Sequence, residues 1–172
     1  MLRSRQNYRL QSVWKLSPEL LEGKKMSEES TSNPTTSYWI IAGAMLVWNV
    51  IGLMFYYQQS TLTPEIMADA GLTAQQIAHI TNTPAWGHSG YAIAVNAGVL
   101  GAIFLLLRKA WAVPMFVLSL VGALVQDLDA IVLRDAIDAW GTSALYLPII
   151  VILICAAEIW YARNAKAKGL LA

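Results

Sequence analysis

Residues 86–107 read WGHSGYAIAVNAGVLGAIFLLL and are followed at once by Arg108 and Lys109. These 22 residues contain no Asp, Glu, Lys or Arg. A helix of this length is ~33 Å long, which is enough to cross the ~30 Å hydrocarbon core of a bilayer. The stretch therefore predicts a membrane-spanning helix, and the two basic residues mark one of its ends.

Small residues recur at every fourth position of this predicted helix: Gly90, Ala94, Gly98 and Ala102. They share one face, and small side chains allow another backbone to approach closely inside a membrane. Asn96 points roughly the opposite way, because two residues turn a helix by about 200°. The helix is therefore predicted to contact protein on two sides.

The composition agrees with an integral membrane protein. Of the 172 residues, 56% are hydrophobic and only 13% are charged, against about 25% charged in an average soluble domain. The length suits one membrane domain. Cys155 is the single cysteine, so one chain can form neither a disulfide nor a cysteine-based metal site.

Three further apolar stretches complete an all-α, four-helix membrane bundle, with spans predicted at 38–57, 86–107, 111–133 and 144–162. Between the first two, Pro64 can begin a short helix capped by Thr63, and short amphipathic pieces are expected at the membrane surface. Residues 163–172 form a predicted cytoplasmic tail.

Residues 1–37 are polar, and we expect a disordered cytoplasmic leader. Met26 opens the polar run MSEESTSNPTTS, which suggests that it is the true start. A basic, amphipathic targeting segment over residues 1–25 is the alternative.

Basic residues predict the orientation. With the N-terminus in the cytoplasm, eleven of the twelve Lys and Arg residues are cytoplasmic and Arg134 alone is outside. The positive-inside rule thus predicts that both termini are cytoplasmic. The helix ends and connections outside are instead acidic: Glu65, Asp69, Asp127, Asp129, Asp135 and Asp138.

Polar residues inside the apolar stretches are the candidate functional positions. Asn49 and Asn96 are predicted at similar depth, where the two amides could face each other, either as packing between helices or as part of a substrate-lining surface. Gly52 shares the Asn49 face and makes room there. Trp48 is placed either to stack on a sugar or quinone ring or to fill the bundle core.

A second group of candidates lies where the third helix leaves the membrane. Gln126 and Asp127 are further substrate-lining candidates. His88, Asp127 and Asp129 are candidates for a cation or proton site; the alternative is that the carboxylates are simply hydrated at a helix end. Arg134 has Asp138 as a possible partner four residues on.

Glu158 is the one acidic residue of the predicted fourth span. It lies four residues before Ala162, ~6 Å from the predicted helix end. We therefore expect it to reach the cytoplasmic interface or to pair with a basic residue there, such as Arg108, Lys109 or Arg163.

Motifs of the common enzyme classes are missing from the sequence: there is no phosphate-binding loop, GxGxxG, HExxH or nucleophile elbow. No metal or other cofactor is expected, and no basic stripe suits nucleic acid. We do not expect an enzyme. Two classes remain open: a small-solute transporter or permeability protein acting as a homo-oligomer, and an accessory subunit that docks on a larger membrane complex through the small-residue face of the second helix.

The sequence also resembles a family. The resemblance rests on WNVIG (48–52), PAW (84–86), the run GYAIAVNAGVLGAIFLLLRKAWAVPMFVLSLVGALVQ (90–126) and the ending PIIVILICAAEIWYARNAKAKG (148–169). Over about residues 38–170 the chain is similar to small four-helix proteobacterial inner-membrane proteins often labelled "sugar transporter". This resemblance implies the same bundle in a bacterial inner membrane and a role in solute transport; it implies no particular catalytic or binding residues.

Overall fold

The computed structural model describes residues 33–172. Most of the predicted leader, including Met26 and the alternative targeting segment, lies outside these residues. Four long apolar helices are present, and each is long enough to cross a membrane. They are α1 (Thr36–Thr61), α4 (Ala85–Leu106), α5 (Ala112–Asp127), whose span reaches Leu133 through a π-helix, and α7 (Tyr146–Ala167). The predicted all-α bundle is therefore confirmed.

Short elements connect these helices. Two surface helices, α2 (Pro64–Asp69) and α3 (Ala74–Thr81), follow α1. Thr63 caps α2 with Pro64 in its first turn, as expected, and Thr73 and Gln76 form a reciprocal capping box on α3. A π-helix (Leu128–Leu133) extends α5, and α6 (Ala136–Trp140) and a 3₁₀ helix (Thr142–Leu145) lead into α7.

The helices exceed the predicted spans mainly at two places. α1 continues to Thr61, four residues beyond the predicted end at Tyr57. α7 runs to Ala167, five residues beyond the predicted end at Ala162. Four of residues 163–167, all but Asn164, are good helix formers, and the Arg and Lys side chains can reach the membrane surface along the helix. As a result, every residue of α7 lies five residues farther from the end of its helix than the sequence suggested.

The long helices pack in chain order. α1 packs on α4, α4 packs closely on α5, and α5 packs on α7. Glycines allow the α4–α5 contact, since a Cβ added to Gly122 would lie 2.6 Å from the backbone nitrogen of Ala94 and 2.7 Å from the carbonyl oxygen of Gly90. The predicted small-residue face of α4 is thus buried inside this chain.

The two ends of the bundle differ in chemistry. At the basic end, which carries Arg108, Lys109, Arg163 and Lys166, a buried apolar cluster closes the interior. The cluster comprises Tyr38, Ala42, Ala102, Leu105, Ala112, Phe116, Ala162, Ala165 and Leu171. The acidic end, formed by residues 62–84 and 128–141, carries instead the surface helices and five of the seven acidic residues of the described part of the chain.

Backbone pairing reinforces the basic end. The amide of Ala110 donates to the carbonyl of Ala172, and the amide of Ala172 donates to the carbonyl of Arg108, both at 2.8 Å. The Arg108 Nε donates to the carbonyl of Leu170 at 2.9 Å. The segment that follows α7 is therefore fixed against the α4–α5 connection, with Leu171 buried beneath it.

Candidate functional site

A carboxyl group and an amide meet in the middle of the bundle. Glu158 on α7 is 2% exposed and Asn49 on α1 is 8% exposed. The Asn49 Nδ2 donates to the Glu158 Oε1 at 2.7 Å and to the Met45 carbonyl at 2.9 Å. Glu158 lies nine residues before the end of α7, or ~14 Å from it. We call these two side chains the central pair.

The expected position of Glu158 at the cytoplasmic interface is wrong. Its depth was underestimated because α7 continues past Ala162. No lysine or arginine among the described residues pairs with Glu158. The ion pair that these residues form joins Arg134 and Asp129, away from Glu158. The buried face of α7, at Cys155, Glu158, Ala162 and Ala165, shows the spacing that could have revealed this from the sequence.

Small groups make room for the central pair. A Cβ added to Gly98 of α4 would clash with the Asn49 Oδ1 and would lie 3.1 Å from the Ser119 Oγ. Ser119 of α5 is buried and donates to the Ala94 carbonyl at 2.7 Å. Gly52 contributes less, because its added Cβ would meet only Val95 at ordinary contact distance.

The contact that the sequence allowed between Asn49 and Asn96 does not form. Asn96 is exposed on the outer side of α4 and donates to the Ala92 carbonyl of its own helix at 2.8 Å. The buried face of α4 contains Gly98 instead, and the two positions are separated by about 200° around the helix. Trp48 also lies on the outer side of the bundle, 36% exposed.

An ion pair lies at the acidic end. The Arg134 Nε donates to the Asp129 Oδ2 at 2.8 Å, and its guanidinium also donates to the carbonyl of His79. Asp129 is 1% exposed and sits in the π-helix, a geometry often associated with functional sites. Gly87 leaves space for this carboxylate, since an added Cβ would lie 2.6 Å from its Oδ2.

The other residues expected at this end are dispersed. Arg134 does not pair with Asp138, which accepts a hydrogen bond from Gln75 at 2.5 Å. His88 is exposed on α4. In the part of the chain that the structure describes, no three His, Cys, Asp or Glu side chains are placed to hold a metal ion. The proposed joint site of His88, Asp127 and Asp129 is therefore not assembled.

Asp127 and Gln126 lie half-buried near the end of α5. The Asp127 Oδ2 is buried without a hydrogen-bond partner. Asp127 also lies close enough to Cys155 of α7 to interact with it electrostatically, and Cys155 in turn lies close to Glu158 and Ser119. Gln126 contributes its backbone to the tight contact with Gly90.

A cleft of about 280 Å³ opens beside the ion pair and is lined by Gln75, His79, Asn82, Arg134 and Asp138, among others. Burial lowers the pKa of His79, and the nearby Arg134 guanidinium lowers it further. The cleft therefore presents amide, carboxylate and guanidinium groups together with an imidazole that tends to be neutral. At the surface outside it, a hydrogen bond with Thr63 lowers the pKa of Glu65.

Fold and site together define a multi-pass membrane protein: a four-helix bundle with a buried carboxyl–amide pair at mid-depth. No protein-family model matches the chain, and neither the curated proteins nor the solved structures compared with it give a match.

Proposed function

We propose that this chain is a non-enzymatic bacterial inner-membrane protein that moves a small polar, sugar-like solute as a homo-oligomer, with the central pair as its functional polar site. The observation that carries the proposal is the 2.7 Å hydrogen bond between Asn49 and Glu158, both buried within the spans. The family that the sequence resembles points the same way.

The energetic argument concerns the cost of Glu158. An acidic side chain at mid-depth is destabilising by about 2.5–3.5 kcal/mol on insertion scales. An intramembrane hydrogen bond returns only about 0.6 kcal/mol on average. Packing by an apolar residue would be cheaper at this position, and intramembrane ionisable residues typically mark solute or ion pathways.

Oligomer formation is supported by the outer face of α4. Asn96 is exposed there near the middle of the span, and its amide bonds only within its own helix. An amide facing lipid is unfavourable, and a second copy can provide hydrogen-bond partners for it. Since α4–α5 contacts fill much of the interior of one bundle, a solute path that involves the central pair needs additional surface from a second copy.

The positive-inside rule supports an orientation with both termini in the cytoplasm. The spans place Arg108, Lys109, Arg163 and Lys166 at one end and Arg134 at the other. In this orientation the cleft and the surface helices face the periplasm.

The alternative is an accessory subunit of a larger membrane complex. Docking through Gly90, Ala94, Gly98 and Ala102 is disfavoured, because these residues are buried within the chain. The exposed Asn96 would then contact the partner protein instead of a second copy.

The experiment is uptake of a panel of labelled sugars and polyols into proteoliposomes. We expect uptake above protein-free liposomes for the wild type and its loss in Glu158→Gln. Glu65→Gln is the matched control, since Glu65 lies fully exposed on a surface helix. Absence of uptake for every solute, together with co-purification of a stoichiometric membrane partner, would replace the transport proposal by the accessory-subunit alternative.

A further inference from the structure

The surroundings of Glu158 differ sharply between the two ends of the bundle. Toward the basic end, the next buried residue on α7 is Ala162, which is 0% exposed. It packs in a cluster with Ala42, Leu105 and Phe116, each also 0% exposed. The Tyr38 hydroxyl donates to the Leu105 carbonyl within this cluster at 2.5 Å. Among the described residues, the buried cluster between Glu158 and the basic end is thus apolar apart from the Tyr38 hydroxyl, which the Leu105 carbonyl already engages.

Toward the acidic end, three polar side chains lie inside the bundle. Cys155 lies one turn before Glu158 on α7, and Ser119 faces it from α5. Asp127 lies two turns beyond Ser119 on the same face of α5, and its Oδ2 is buried and unpartnered. The polar side chains of Asp127, Cys155 and Ser119 therefore form a line from the acidic end to Glu158, which we call the polar line.

We propose that Glu158 is a proton-binding site that exchanges protons with water from the acidic end only, by way of the polar line. The proposal rests on the proposed function, in which it assigns the proton as the coupling ion. Binding breaks an O–H bond of a hydronium ion at the acidic end and forms an O–H bond on the Glu158 carboxylate, with the Asp127 carboxyl group taking up and giving up the proton on the way. Release reverses these steps and returns the proton to water, and no group changes its oxidation state.

The groups around Glu158 suit a carboxyl that changes its charge state. From α1 it accepts the Asn49 hydrogen bond, which persists whether the carboxyl is neutral or ionised. α4 contributes Gly98, and α5 contributes Ser119 and the more distant Asp127. Cys155 is the titratable neighbour on its own helix. Since no cation pairs with Glu158 among the described residues, proton binding removes an uncompensated buried charge.

Cys155 is a natural probe for the access route, because it is the single cysteine and adjoins Glu158 on the acidic side. We would treat right-side-out and inverted vesicles with a small, membrane-impermeant methanethiosulfonate that carries a quaternary ammonium group. A Cys155→Ala background with Ala70→Cys, exposed on the surface after α2, identifies the acidic side. We expect Cys155 to react from that side and not from the other.

The matched control is Ala162→Cys in the Cys155→Ala background. Position 162 lies four residues beyond Glu158 toward the basic end and is fully buried. We expect it to be unreactive from both sides. Reaction of Cys155 from the basic side, or no reaction of Cys155 from either side while residue 70 reacts, would overturn the one-sided route.

Proton binding itself is measured by infrared spectroscopy of the detergent-solubilised protein. We expect a carboxylic acid C=O band that titrates with pH, is lost in Glu158→Gln and is retained in Glu65→Gln. A band unchanged in Glu158→Gln would overturn the proposal. Because neither readout uses solute uptake, a failure of the transport proposal and a failure of this one are distinguishable.

Discussion

The side chains of Asn49 and Glu158 join the first and last long helices of the bundle through a 2.7 Å hydrogen bond. These helices are the ends of the packing order α1–α4–α5–α7, so the bond links helices whose backbones are not closely packed. A second link lies nearer the basic end, where the rings of Tyr38 and Tyr161 stack with centroids 6.2 Å apart. The central pair is therefore a candidate functional site and also one of the contacts that hold α1 and α7 together.

Replacing Asn49 by alanine should destabilise the bundle by about 0.6–1.7 kcal/mol, the range found for intramembrane hydrogen bonds. The variant leaves the Glu158 Oε1 without its donor. Gln58→Ala is the matched control on the same helix, and it should have little effect because that side chain is exposed near the end of α1. Unfolding of both variants in mixed detergent micelles measures the difference. Equal losses of stability would contradict the importance of the Asn49–Glu158 contact.

Gly122→Ala should destabilise the α4–α5 contact, by about 1–3 kcal/mol if the cost resembles other overpacked cores. The added Cβ would meet backbone atoms of Ala94 and Gly90, which cannot rotate away. Gly43→Ala provides a matched helical control, because a Cβ there meets nothing within 4 Å. Thermal melting in detergent should show a lower melting temperature for Gly122→Ala and an unchanged or higher one for Gly43→Ala. A similar melting temperature for the two variants would argue against close packing at Gly122.

The positions of the long helices could be predicted from the sequence because charge-free apolar runs of about 20 residues have few alternatives to spanning a membrane. The small-residue spacing of α4 likewise predicted a close helix contact, and Gly90, Ala94, Gly98 and Ala102 are all buried. The α2 start at Pro64 followed from local capping chemistry.

The central pair could not be predicted, for two physical reasons. The depth of Glu158 depends on where α7 ends, and the basic residues after Ala162 are compatible with either a tail or a longer helix. The partner of Asn49 depends on which face of α4 contacts α1, and periodicity alone left both the Gly98 and the Asn96 faces as contacts. The Asp129–Arg134 pair was missed because it forms around a π-helix, where residues five apart approach each other.

Acidification should destabilise the protein partly through His79. Burial and Arg134 lower its pKa below the ordinary value of 6.5, so the unfolded chain binds a proton more readily than the folded chain. The contribution of the neutral His79 side chain to the free energy of unfolding is therefore fully present above about pH 6.5. It decreases as the pH falls below 6.5 and through the lowered pKa. Melting temperatures at a neutral and a mildly acidic pH should differ less in His79→Gln than in the wild type. His88→Gln, on an exposed histidine, should leave the wild-type difference unchanged.

Leu171 should contribute to the basic end in spite of lying after the last helix. It is 7% exposed and belongs to the apolar cluster with Tyr38 and Phe116. Leu171→Ala is expected to cost about 2–5 kcal/mol, as for other buried leucines. Leu107→Ala is the control, because Leu107 is 61% exposed. If the two variants unfolded at the same denaturant concentration, the packing of the segment after α7 would not stabilise the protein.

Replacing Arg134 should destabilise the protein more than replacing Asp129, because the Asp129 carboxylate is the more deeply buried partner of the ion pair. Arg134→Met leaves the carboxylate, 1% exposed, without its cation, and removal of one partner of a buried pair typically costs about 3–5 kcal/mol. Asp129→Asn should cost less, because the Arg134 side chain is 18% exposed and can reach water. The double variant should therefore recover much of the stability lost in Arg134→Met. A double-mutant cycle on unfolding free energies measures this coupling, and strictly additive losses would show that the two side chains do not stabilise each other.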